Sequence, residues 1–285
     1  MPIDPGAALG ARLPDVDHRW SPVDVQRYHL ALGAGSDPFD PRELRYAHED
    51  GLRVLPTYGA LVPSLGMFDP PALTLPGVRA DLSRVLHGGQ TVSVRLPLPT
   101  EGEVRVERSL TQLWDKGSSA VLVVDSVAHA QAGPLWTSRS TLVVRGLGGF
   151  GGDRGPKAER WTPPGPPDLT VDSVTLPQQA LLYRLCGDRN PLHADPAFAR
   201  AAGFPAPILH GLCTYGVVCK ALIGAVLDGD PDPVTDFGAR FTGVVYPGET
   251  LRTRAWLSES SLRARTTVPA RDDAPALDDV ELSWA

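Results

Sequence analysis

The sequence predicts an α+β protein in which one plan, a long buried helix followed by antiparallel strands, is used twice. Three observations predict it. From Ile208 to Leu227 the chain is apolar on nearly every side, and Lys220 is the only charge there that persists at neutral pH. Beyond it, Leu251, Thr253 and Ala255 alternate with Arg252, Arg254 and Trp256, and Leu262, Ala264 and Thr266 alternate with Arg263 and Arg265, the period of a half-buried strand. The third observation is self-similarity at an offset of about 157 to 159 residues. Pro56-Thr57-Tyr58-Gly59-Ala60-Leu61-Val62 is similar to Cys213-Thr214-Tyr215-Gly216-Val217-Val218-Cys219, and Gly89-Gln90-Thr91-Val92 to Gly248-Glu249-Thr250-Leu251.

In the first copy, strands are expected at Thr91 to Leu96, Glu103 to Leu113, Ala120 to Val127 and Leu135 to Val144. Gly146 to Asp168 is rich in Gly and Pro and poor in apolar residues, which reads as a linker. The expected division is therefore an N-terminal repeat over 1–150, a linker over 151–168 and a C-terminal repeat over 169–285. A length of 285 residues with 42% hydrophobic composition is ample for such cores. In the second copy Thr175 and Gln178 have capping-box spacing, and the helix they would open carries Ala180, Leu181, Leu182 and Leu185 until Gly187 ends it. Pro191 lacks a donor and biases Asn190 away from the helical region, so the chain from Asp188 to His193 must turn back on itself. Asp195 caps a second short helix, with Pro196 at its first position and Gly203 as its stop. The long apolar helix that follows is about long enough to span a bilayer. His210, Thr214, Tyr215 and Lys220 are spread through it and no second such segment exists, so a buried helix is expected and no membrane partner. Val280 to Trp284 supplies a last strand.

A formal charge of −6 without a basic run excludes nucleic acid as the main partner. Three cysteines, Cys186, Cys213 and Cys219, in a chain without a signal peptide imply reduced thiols and a cytoplasmic setting. Ser283-Trp284-Ala285 is not a peroxisomal address. Gly146 to Gly151 matches the dinucleotide fingerprint in letters, but Gly152-Asp153-Arg154-Gly155-Pro156 cannot open the helix that the motif requires. A flexible linker with a backbone role near ligand is the better reading. His193, His210, Cys213 and Cys219 lack the tight pairs of a zinc site, His210 and Cys213 being the only short pair, so no metal is expected. There is no G-x-S-x-G elbow, and Cys186 has no basic neighbour to activate it.

Asp188 and His193 place a carboxyl and an imidazole five residues apart on a loop. Around Tyr28 the first half reads YHLALGAGSDPFDP against YRLCGDRNPLHADP around Tyr183, so only the second copy keeps the Asn and His. GDRNPLH followed by PILHGLCTYG resembles the signature of the type 2 enoyl-CoA hydratases, the MaoC-like family. VLPTYG (54–59), VLHGGQ (85–90), DKGS (115–118), GGFGG (148–152) and VYPGETL (245–251) extend the resemblance to the two-repeat members, including the hydratase unit of peroxisomal multifunctional enzymes. Nearly the whole chain is covered, most weakly before Asp24 and after Glu259.

The resemblance implies a double hot-dog fold with a long helix wrapped by a curved sheet in each half. It implies reversible syn hydration of trans-2-enoyl-CoA to (3R)-3-hydroxyacyl-CoA with no metal or redox cofactor, an acyl-CoA thioester as the partner, and a homodimer. Asp188, Asn190 and His193 match the family's active-site residues, and Gly211 the glycine whose amide meets the thioester oxygen. Such a reaction needs a base at the water and an acid at the α carbon on one face; ordinary pKa values of about 3.9 and 6.5 bracket the range a site can tune. Which of Asp188 and His193 is base or acid is open. Asn190 is expected to hold the water as donor and acceptor, and Gly211 to contribute roughly 3 kcal/mol against the enolate charge. In two-repeat members the first half has given up catalysis and opened space for a bulky acyl group, which points to a long, branched or sterol-derived chain. Arg189 departs from the tryptophan common in the multifunctional enzymes. Lys116, Arg154 and Arg240 are the basic residues nearest the motifs, and His87 sits in a family-like segment without an assigned role. The rival functions are a dehydratase acting on carrier-protein thioesters and a non-catalytic acyl-CoA-binding module.

Overall fold

The structure, a computed structural model, describes residues 3–68, 72–157 and 161–285. Residues 158–160 of the expected linker lie outside the described ones. The helices are α1 (Pro5–Ala8), α2 (Pro22–Ala31), α3 (Pro41–Leu44), α4 (Tyr58–Leu61), α5 (Gln179–Arg184), α6 (Pro196–Ala201) and α7 (Gly211–Val226). The strands are β1 (Arg12–Trp20), β2 (Ala72–Leu75), β3 (Val78–Asp81), β4 (Val85–Val94), β5 (Gly102–Asp115), β6 (Ser119–Ala130), β7 (Gly133–Arg145), β8 (Leu169–Val174), β9 (Val234–Phe241), β10 (Thr250–Leu257), β11 (Ser261–Val268) and β12 (Ala274–Trp284). Apart from the β2–β3 hairpin, they form one ten-stranded antiparallel sheet in the order β1-β5-β6-β7-β4-β9-β12-β11-β10-β8.

That order is symmetric about the seam between β4 and β9, where Gly89 to Ser93 pair with Arg240 to Asp236. Outward from the seam each strand of the first half has a counterpart in the second, the double hot-dog arrangement. The symmetry corrects part of the internal alignment. Thr57-Tyr58-Gly59 and Thr214-Tyr215-Gly216 do sit in corresponding helices, and both glycines permit close packing: a Cβ on Gly59 would lie 3.1 Å from the Trp136 ring, and one on Gly216 2.7 Å from Leu32. Gly89-Gln90, however, belongs to β4, whose counterpart is β9. Gly248-Glu249 leads into β10, whose counterpart β5 opens with Gly102-Glu103. Helix-to-strand connections of unequal length mean that no single offset serves both helix and sheet.

A long helix in each half is the second expectation corrected. Sixteen residues form α7, but α4 stops after four and continues as a short 3-10 turn, Val62–Ser64. Pro63 lies in that turn, where it has no N–H to give and its ring opposes continuation. The surviving α7 buries Leu212, Cys213, Tyr215, Val217, Val218, Cys219, Leu222 and Ile223, each larger side chain contributing roughly 1.5–3 kcal/mol. Its polar groups are paired: Tyr215 Oη donates to the Phe237 carbonyl at 2.6 Å, and Lys220 Nζ reaches Glu43 Oε1 of the first half at 2.6 Å. No helix of the described residues is long and apolar enough to cross a membrane.

Two local expectations change for the same reason, that a tertiary partner takes the polar group. Thr175 does not cap α5; its hydroxyl donates to the Glu249 carbonyl and accepts from Gly248 N–H. Gln178 is the N-cap residue, while Gln179 Oε1 accepts from Leu176 N–H. The glycine-rich segment after β7 is fastened rather than flexible. Asp115 accepts from the N–H groups of Gly117, Gly149 and Gly151, each at 2.8 Å. These three donors hold its carboxyl down at about 2. The amides that might have met a ligand are consumed there. Trp161 stacks edge-on against Trp256 of β10, whose indole donates to the Gly165 carbonyl.

His29, on α2, is fully buried, with Nδ1 donating to the Tyr46 carbonyl and Nε2 accepting from Leu55 N–H. Burial pushes its pKa down to about 4. Below pH 6.5 the unfolded chain binds a proton that the folded chain refuses, so stability is lost as pH falls from 6.5 to about 4, roughly 3 kcal/mol from this residue. Urea unfolding across that range should show this slope, and His29→Gln should flatten it. An unchanged slope in the variant would refute the assignment.

Candidate active site

The loop after α5 is built by four local constraints. Gly187 has φ +117, and a Cβ there would come within 2.6 Å of Leu65, so glycine is required. Asp188 Oδ1 then accepts from Asn190 N–H at 3.0 Å. Asn190 in turn caps the 3-10 turn Pro191–His193, its Oδ1 accepting from Leu192 N–H at 3.0 Å. Arg184 Nη1 donates to the Asn190 carbonyl. The chain turns back as expected. Asp195 caps α6 with Pro196 at its first position, again as expected.

The turn delivers Asp188, Asn190 and His193 to one cavity of about 240 Å³, where they meet Gly211. The cavity sits across the seam. Phe68, Val85, Leu86, His87 and Val143 come from the first half, and Leu192, Thr214, Phe241 and Leu277 from the second. Gly211 opens α7, so its N–H is one of those the helix itself cannot use and carries the positive end of the helix dipole. A side chain there would crowd the cavity without a hard clash: a Cβ would lie 3.1 Å from the Phe241 ring and 3.6 Å from His87 Cβ.

His193 is 9% exposed, and its Nδ1 lies 2.9 Å from the Ile208 carbonyl. A carbonyl only accepts, so Nδ1 carries the proton and Nε2 is the atom left to exchange one. Burial lowers the pKa of His193, with the nearby Asp188 charge opposing. Asn190, 4% exposed, has spent its oxygen on the cap, which leaves its NH₂ for water. All four residues named from the sequence line this one cavity, and two histidines to which the sequence assigned no role in it lie at its wall and behind it. His87 lines the cavity as a neutral ring whose pKa burial pushes down to about 4; its Nε2 meets Gln90 Oε1 at 3.0 Å, and Gln90 is itself pinned by Thr91, Ser138 and Ser140. His210 lies behind His193, ring centroids 3.8 Å apart and planes inclined by 30°. The family-like segments around both residues were visible, but not the side of the cavity on which each would fall.

Asp188, His193 and His210 have donor atoms within 4.8 Å of one another, which raises the question of a metal. The geometry does not fit one. Zinc needs lone pairs converging at roughly 2.0–2.1 Å. The two imidazoles lie face to face with centroids 3.8 Å apart and planes inclined by 30°, and both nitrogens of His210 are sealed from solvent, which gives an ion no open route to them. Cys213 does not join them, since its Sγ points to the Ala31 carbonyl. Nor do the basic residues nearest the motifs line the cavity. Arg240 is tied to Asp278 and Asp279, Lys116 to the Pro156 carbonyl, and Arg154 and Arg189 are exposed.

His193 should be neutral at pH 7 with its proton on Nδ1. Long-range ¹H–¹⁵N correlation spectra of the folded protein read the tautomer directly; an Nε2–H or doubly protonated ring at pH 7 would contradict it.

Residues 159–274 match the family model of the MaoC like domain, and residues 18–146 that of the MFE-2 hydratase 2 N-terminal domain. The enoyl-CoA hydratase ChsH3 of Mycobacterium tuberculosis is 52% identical over 99% of this chain and 99% of its own length. The peroxisomal enoyl-CoA hydratase 2 of Arabidopsis thaliana is 40% identical over 93% of this chain and 90% of its own. Among solved structures, a MaoC-like dehydratase from Phytophthora capsici superposes with a TM-score of 0.86 at 28% identity, covering 99% of this chain and 98% of that one. With half-length models matched on either side of the seam and relatives aligned from end to end, the chain belongs to the MaoC-like family of type 2 enoyl-CoA hydratases, in its two-repeat form.

Proposed function

We propose that this protein catalyses the reversible syn hydration of a trans-2-enoyl-CoA to the (3R)-3-hydroxyacyl-CoA, using Asp188, His193, Asn190 and Gly211 and neither metal nor redox cofactor. The observation that carries the reading is the convergence of all four on one largely apolar cavity, with His193 locked in the tautomer that leaves Nε2 free to exchange a proton.

Each group has a task. The NH₂ of Asn190 donates to the water without titrating. In hydration one member of the Asp188 and His193 pair removes a proton from the water as its oxygen bonds to the β carbon, and the other delivers a proton to the α carbon; in dehydration the roles exchange. Both act from one face, as syn addition requires. The charge that builds on the thioester oxygen meets the Gly211 amide at the start of α7. The first repeat, 1–150, serves as the degenerate half and 169–285 as the catalytic one. The truncation of α4 and the apolar wall of Phe68, Val85 and Val143 favour a long, branched or sterol-derived acyl chain, in degradation of the β-oxidation type. Three unpaired cysteines support a cytoplasmic setting, and the family pattern supports a homodimer.

Loss of the conjugated absorbance of crotonyl-, decenoyl- and steroid-side-chain enoyl-CoA measures the reaction. Asp188→Asn and His193→Ala should each lower kcat by about 10²- to 10⁴-fold, and Gly211→Val should abolish turnover while leaving the fold intact. Wild-type inactivity on all three, or activity indifferent to both substitutions, would sink the proposal. Chiral analysis should give the 3R product, and faster turnover of carrier-protein thioesters would move the assignment to the biosynthetic dehydratase.

Because burial holds the His193 pKa below 6.5, the acidic limb of kcat/KM should lie below pH 6.5. A limb above that value would contradict the buried neutral ring.

A further inference from the structure

His210 is the group that the mechanism above leaves unexplained. It is 1% exposed, and neither ring nitrogen finds a well-aligned hydrogen-bond partner. Buried polar atoms are nearly always paired; the Asp188 backbone is the one hydrogen-bonding influence on this ring, and it is poorly aligned, so an imidazole held this loosely calls for a reason. It does not line the cavity, and with both nitrogens sealed it touches neither water nor substrate.

Its neighbours supply the reason. One face lies against His193, centroids 3.8 Å apart and planes inclined by 30°, and the ring also meets Tyr183 at 5.0 Å, an edge of the core that is itself fully buried. His210 is also the N-cap residue of α7, so its Cα precedes Gly211 directly, and its carbonyl takes the first helical N–H groups, those of Cys213 and Thr214.

Resting on the hydratase reading, we propose that His210 is a positioning residue: its ring is the platform that fixes the plane of His193, and its place in the chain ties that plane to the Gly211 amide. One side chain thereby sets the angle between the proton-exchanging nitrogen and the helix N-terminus. The single hydrogen bond from Nδ1 to Ile208 leaves His193 free to tilt about that bond, and the stacked ring removes the tilt. Sealing serves the same end. The ionisable groups near the pair are Asp188, Arg184, Tyr183, Cys186 and Cys213; burial, the neighbouring His193 and Arg184 oppose a charge on His210, and the Asp188 backbone favours it. Burial prevails, so the platform is uncharged and does not repel a protonated His193.

The test compares His210→Ala, which removes the platform, with His210→Phe, which keeps a flat ring without polar atoms. His210→Ala should lower kcat about a hundredfold, the typical effect of a small misplacement, with KM changed less than about twofold. Its acidic kcat/KM limb should move up towards pH 6.5 as water reaches His193, and the Nδ1–H tautomer of His193 should lose its single sharp state in ¹H–¹⁵N spectra. His210→Phe should fold, keep that tautomer and the wild-type limb, and lose less than about tenfold in kcat. A wild-type limb and kcat in His210→Ala, a His210→Phe as impaired as His210→Ala, or a His210→Phe that fails to fold would each overturn the proposal. The tautomer readout needs no substrate, so it decides the role of His210 even where the wild type proves inactive on enoyl-CoA and the hydratase reading falls.

Discussion

Because α7 is apolar on nearly every face, it cannot rest on a surface with one side in water; it has to be wrapped. A curved antiparallel sheet does this: α7 packs against β8, β9 and β12 of its own half, and pairing across the β4–β9 seam joins the two halves into one sheet. Everything at the site follows from where that helix begins. Its N-terminus opens on the seam, facing first-half residues such as His87 and second-half residues such as Phe241. The unused N–H groups and the dipole of the helix are therefore directed at a low-dielectric cavity, where an electrostatic donor is most effective.

The two halves have diverged around this arrangement. The second keeps the full helix and the turn that carries Asp188, Asn190 and His193. In the first, Pro63 ends the equivalent helix after one turn, and the residues beyond it include Phe68 in the cavity wall. A half that lacks counterparts of Asn190 and His193 thus still shapes the cavity, because symmetry places its strands and loops against the start of α7.

Histidine chemistry in this protein is governed by burial. His29, His87, His193 and His210 are all pushed towards the neutral form, and desolvation is the largest cause in each case. What separates them is hydrogen bonding. His29 is satisfied at both nitrogens, His87 is clamped by Gln90, and His193 is tethered only at Nδ1. The same desolvation acts on a ring satisfied at both nitrogens in the first case and on one with Nε2 left for the proposed proton exchange in the third.

Local chemistry alone determined a good deal. Gly187, Pro191 and the Asp195-Pro196 cap act within a few residues of themselves, so the shape of the site loop was legible from their order, as were the later strands from their period-two alternation and the buried α7 from its run of apolar residues. The four proposed site residues were legible through the family-like signature that carries them. Only the tertiary structure decided what depends on partners distant in sequence. Thr175 was given to Glu249 rather than to a helix cap, and the amides of Gly149 and Gly151 to Asp115 rather than to a ligand. His210 was turned behind His193 and away from Cys213. Nor could one repeat offset reveal that Gly102, not Gly89, corresponds to Gly248, because the connections between helix and sheet differ in length. The physical reason is common to all of these: a hydroxyl, an amide or an imidazole has several partners of similar local quality, and only the packing of the two halves selects among them.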